Sequence, residues 1–127
     1  MATIKTSVLG DLAGKLIIND DTNDTPATNV TAATGSMFLI QIDATAGNPT
    51  TAEPACYVKV SDATGNISVG TTSPDSIFYA PIGQITTYVI SGGWTFSNGL
   101  SFWAVTGGAD NASTSPTSTI KVTIFAS

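Results

Sequence analysis

The chain contains no histidine, no arginine and a single cysteine, and only 10% of its 127 residues carry charge. Each scarcity closes a class of function. Without histidine, proton transfer near neutral pH falls to Asp, Glu53, Lys or Tyr, and a Ser or Cys nucleophile lacks its usual base. No enzymatic activity is expected. One cysteine, Cys56, forms no internal disulfide, and with no second Cys and no His it offers no zinc site. The four cations, Lys5, Lys15, Lys59 and Lys121, are scattered among nine carboxylates for a net charge of −5, so no nucleic-acid partner is expected. The same balance disfavours an anionic membrane surface, and no apolar run is long enough to span a bilayer. Met1 to Leu12 alternates in polarity without a continuous apolar run, so no secretory signal is visible and synthesis in a cytoplasm is expected.

Hydroxyl groups stand where charge is missing. The 21 Thr and 13 Ser hydrogen-bond water without charge, and β-branched Thr biases the chain toward strands. Apolar residues recur at period two, and no stretch keeps a helical pattern. Ile4 to Val8, Lys15 to Ile18, Met37 to Ile42, Cys56 to Ser61, Ser76 to Ala80, Gln84 to Ile90 and Ile120 to Ile124 all read as strands. In the fourth, Cys56, Val58 and Val60 are expected on the core while Tyr57, Lys59 and Ser61 face away. Asn98-Gly99 sits between alternating segments, so Trp94 to Val105 is expected to be a hairpin with a tight turn. These elements predict an all-β fold, a single β-sandwich or jelly-roll of about seven to nine antiparallel strands. An extended N-terminal arm or peripheral strands over residues 1–26 precede a β-sandwich domain over 27–127.

Three features raise binding chemistry. Asp20, Asp21 and Asp24 place hard oxygen ligands within five residues, a weak calcium candidate, but the loop lacks the glycine and glutamate of a calcium-binding hand. No metal and no cofactor is therefore expected. The aromatics, Trp94 and Trp103 among them, suit a core, a subunit interface or a sugar platform. Thr106 to Ser118 is a loop of small residues.

The run Val69-Gly70-Thr71-Thr72-Ser73-Pro74-Asp75, the proline-bounded strand Ile77 to Pro81, then Phe96-Ser97-Asn98-Gly99-Leu100 and Thr114-Ser115-Pro116-Thr117 follow one another in order. In this order they resemble small virion structural proteins of tailed bacteriophages, particularly those of cyanophages. The likeness runs from about Ala55 to Ser127. It implies a capsid decoration, or cement, protein on the outer surface of the phage head, bridging subunits of the major capsid protein and associating with itself as a homo-oligomer, a trimer being expected. The apolar side chains Ile4, Val8, Leu9, Leu16, Ile17, Met37, Leu39, Trp94 and Trp103 are the candidates for capsid and subunit contacts. The resemblance also admits a head- or tail-fibre module that contacts host glycans, or a ring component of the tail or connector.

Overall fold

The computed structural model describes residues 2–6, 15–31 and 34–127. Among these residues eight strands form, β1 (Thr3–Thr6), β2 (Leu16–Thr22), β3 (Gly35–Asp43), β4 (Ala55–Asp62), β5 (Ser76–Pro81), β6 (Ile85–Phe96), β7 (Leu100–Val105) and β8 (Ile120–Ala126). They build two antiparallel sheets, a five-stranded one in the order β1-β2-β8-β3-β6 and a three-stranded one in the order β5-β4-β7. The expected all-β sandwich is what forms.

Its connectivity separates the two architectures that local pattern left open. β4 pairs with β5, β3 with β6, Ala27 bridges Phe102 on β7, and β2 pairs with β8. Those four pairings nest inside one another along the chain. They describe one long two-stranded ribbon whose tip is the β4–β5 connection, rolled so that successive pairs fall in alternate sheets. This is the jelly-roll arrangement, with residues 23–30 standing where an eighth strand of the roll would lie and β1 added outside it. Backbone bonds hold that segment to β7, among them Ala27 N to Phe102 O at 2.9 Å and Ala104 N to Asn23 O at 2.8 Å.

One core lies between the sheets. Ile18, Ile40, Ile42, Ile120, Val122 and Ile124 project from the large sheet onto Cys56, Val58, Val60, Leu100, Phe102 and Ala104 of the small one, all buried. Period-two alternation sends them there, and burying each large side chain contributes about 1.5–3 kcal/mol.

Several expectations change. β2 is no arm, because all seven of its residues pair with β8 and Ile18 lies in the core. Residues 16–22 therefore belong to the sandwich, and β1 lies outside them at the end of the sheet. Trp94 to Val105 is not a hairpin either, since β6 pairs with β3 and β7 with β4. The Asn98-Gly99 turn carries the chain from one sheet to the other, and neither residue takes positive φ.

Candidate interaction surface

Register fixes what the solvent side of the large sheet presents. Because inward and outward side chains alternate, directly paired residues share a face and form rows across the strands. The first outward row is apolar, Ile17 opposite Phe125, Phe125 opposite Leu39, and Leu39 opposite Val89. The second is made of amides and hydroxyls, Asn19, Thr123, Gln41 and Thr87. Within it Thr123 Oγ1 donates to Asn19 Oδ1 at 2.9 Å and Gln41 Nε2 to Thr87 Oγ1 at 3.2 Å. The third alternates in charge across Asp21, Lys121 and Asp43, then ends on Ile85. A bulge at Phe38 breaks the pairing beyond the apolar row, and Lys15 Nζ lies 4.7 Å from the Phe38 ring centroid.

Ile17, Leu39 and Phe125 are half-buried by these neighbours, while Val89 is 77% and Ile85 55% exposed. Apolar side chains joined into a row across four strands form one contiguous strip, a different matter from the scattered surface hydrophobics of any protein.

The opposite side of the molecule is already occupied. Lys59 and Ser61, expected to face solvent, are buried together with Cys56, Val58 and Val60. Thr106 to Ser118 reaches over Lys59, whereas Ser61 Oγ donates to Asp75 Oδ2 at 3.3 Å. Lys59 Nζ donates to the Ala109 carbonyl and, at 3.4 Å, to that of Asp110. Burial pushes the Lys59 pKa down, and nearby Asp110 partly offsets this. Glu53 accepts from Thr117 N at 2.9 Å and Thr117 Oγ1 at 2.8 Å, and Ser73 Oγ donates to Asp110 Oδ2 at 2.8 Å. The loop of small residues is thus a lid on the small sheet, held by its own domain.

The sequence-derived contact candidates separate accordingly. Ile17 and Leu39 lie in the outward apolar row. Ile4 is 42% exposed on β1, and Leu16 and Trp94 are half-buried against the core. Met37 and Trp103 have to be withdrawn as contacts, being 0% and 1% exposed. Met37 points inward, and Trp103 is enclosed opposite Lys59 on β4. Val8 and Leu9 lie outside the described residues. Phe125, Val89 and Ile85 were missed. Their signal is present in the sequence, since each is an apolar residue in a segment of alternating side chains that reads as a strand.

No group of three acidic, Cys or His side chains among the described residues is placed to hold a metal ion, so Asp20, Asp21 and Asp24 do not converge. Adjacent residues of a strand point to opposite faces, which separates Asp20 from Asp21. Asp20 accepts from Thr22 Oγ1 at 3.0 Å. A hollow of about 570 Å³ lies beside it, lined by Ile4, Asp20, Asn23, Pro26 and Val30 among others. Burial pushes the Cys56 thiol up to about 11, which keeps it protonated near neutral pH.

One carboxylate does organise a site. Asp62, at the end of β4, accepts from three successive backbone N–H groups, Ser97 at 2.9 Å, Asn98 at 2.7 Å and Gly99 at 3.3 Å. Those bonds hold its pKa below the usual carboxylate range. The turn that crosses between the sheets is closed by this side chain. No family model matches the chain, and neither a curated protein nor a solved structure matches it.

Proposed function

We propose that the chain is a non-enzymatic capsid decoration protein of a tailed bacteriophage, seated on the major capsid protein at the outer surface of the head and associated with copies of itself. The observation that carries this reading is the outward apolar row Ile17–Phe125–Leu39–Val89, which ends on the exposed Val89 and lies on the sheet opposite the one that Thr106 to Ser118 reaches over. Such a strip is suited to packing against a protein surface. The motif order from Val69 to Thr117 supplies the virion setting by resemblance. A jelly-roll is compatible with it, since capsid domains share that architecture, but lectin domains do too, so topology alone does not choose. The bridging role falls to the sheet face, because β2 is built into the sandwich and is not free to reach across neighbouring subunits. Low charge suits dense repetition, where like charges would repel.

Two measurements test this. Quantitative mass spectrometry of purified particles should find the chain in proportion to the major capsid protein; a count set by one vertex or one tail would instead favour a fibre or ring component. Phe125→Glu and Ile17→Glu place charge in the row without touching the core. Together they should weaken attachment to undecorated heads by about tenfold or more, equivalent to about 1.4 kcal/mol. Unchanged attachment of the folded double variant would remove this face from the proposal.

A further inference from the structure

A sheet edge with unpaired backbone groups invites another strand, and proteins shorten, cover or charge such edges. This sandwich has four edges, and three are managed. β1 is only four residues long. β7 is covered by residues 23–30 through the Ala27–Phe102 pair and its neighbours. β5 ends in Pro81, and its Tyr79 carbonyl accepts the Tyr88 hydroxyl at 2.6 Å. β6 has none of these devices. It runs for 12 residues, no described strand pairs with its outer side, and no charged residue occurs between Asp75 and Asp110. Proline is absent from Ile85-Thr86-Thr87-Tyr88-Val89-Ile90, which is rich in β-branched residues.

The geometry points to β6 as the contact between two copies of this chain, paired antiparallel about Thr87. Ala44 N donates to Gln84 O at 2.9 Å, which directs the backbone groups of Gln84 toward β3. By the alternation of antiparallel ladders, Thr86 and Tyr88 face β3 as well, and Ile85, Thr87 and Val89 turn their N–H and C=O groups to the open side. A two-fold axis at Thr87 then satisfies both the backbone and the side chains. Thr87 meets Thr87 of the second copy, and Ile85 meets its Val89, so each pair keeps outward residues with outward residues. A one-residue slip would set outward against inward side chains. The two most exposed large hydrophobics among the described residues, Val89 and Ile85, thereby cover each other. Beyond Ile90 the pairing with β3 becomes irregular, since Met37 pairs with Trp94 but Leu39 with Val89, and this limits the run to about these residues. Such an isologous contact closes on itself as a dimer, joining two five-stranded sheets into one ten-stranded sheet with a continuous outer face. It takes its setting from the assembly proposed above, naming how copies meet within it.

Sedimentation of the full chain at rising concentration tests the pairing, with a mass of two chains expected. Thr87→Pro removes an N–H that faces the open side and the Gln41 Nε2 bond to Thr87 Oγ1, and leaves the backbone bonds to β3 in place. It should halve the mass while the circular dichroism spectrum stays unchanged. A short bismaleimide should link Thr87→Cys to its own copy far more efficiently than Ile85→Cys, whose counterpart is Val89. A wild-type mass of one or three chains at millimolar concentration, a two-chain mass retained by Thr87→Pro, or equal linking of the two cysteine variants would overturn the pairing. A monomer abundant on particles would leave the decoration reading standing, whereas a dimer absent from particles would sink that reading and not the pairing.

Discussion

Asp62 shows how much one side chain can decide. The Asn-Gly sequence favours a tight hairpin turn, yet that preference is overruled by a carboxylate 35 to 37 residues away that satisfies three N–H groups of the turn. Bonds to a charged acceptor are each worth about 1.5–3 kcal/mol. Asp62→Ala should lower unfolding stability by about 2 kcal/mol in neutral urea titrations. The effect has a pH signature. Because the folded-state pKa lies below the unfolded value near 3.9, the contribution is present in full above that value and disappears as pH falls through the folded pKa. Wild type and Asp62→Ala should therefore converge in stability in strong acid. A gap of constant size down to the lowest pH measured would show that the carboxylate charge is not what closes the turn.

At the scale of an element, β6 changes character halfway. Its first half pairs regularly with β3, and then the chain bulges around Phe38, where Gly92 and Gly93 take φ of +81° and +82°. The Gly-Gly pair reads in sequence as the end of a strand, whereas the strand continues through it. The two glycines differ in surroundings. A Cβ on Gly93 would come within 2.9 Å of the Phe38 ring and of Ser36 Cβ, while one on Gly92 would meet open space. Both alanine variants bear the backbone penalty of about 1–3 kcal/mol, and Gly93→Ala adds a collision. Thermal melts should rank Gly93→Ala clearly below Gly92→Ala; equal melting points would mean that Phe38 swings away freely. The Thr106 to Ser118 lid belongs to the same scale, since small residues let the backbone lie close to the small sheet, with Gly108 packed on the Tyr57 ring.

For the whole molecule, the nested pairings make most contacts long in sequence, with Leu16 beside Ala126 at the extreme of the strand pairs. Loop closure must be met before such contacts stabilise anything, so folding should be slow for the chain's size, on the order of milliseconds to seconds in stopped-flow fluorescence of Trp94 and Trp103. Microsecond refolding would contradict a ribbon that rolls up as one unit. The same roll leaves two unequal faces, one under the Thr106 to Ser118 loop and one whose outward apolar row carries the proposed attachment, with the open β6 edge adjoining it.

Alternation of side chains along each segment was enough to announce strands, the approximate limits of most of them and, in β4, the inward set, because period-two burial is a local property of extended backbone. Cys56, Val58 and Val60 reach the core in this way. Local pattern gave no means of knowing that Lys59 would be roofed by a loop 50 residues away, that Asp62 would seize a distant turn, or that β2 would sit between β1 and β8. Those outcomes depend on which strands become neighbours. Neighbourhood is set by the rolling of the ribbon, a property of the whole chain, and it alone aligned Ile17, Phe125, Leu39 and Val89 from four separate segments into one outward row.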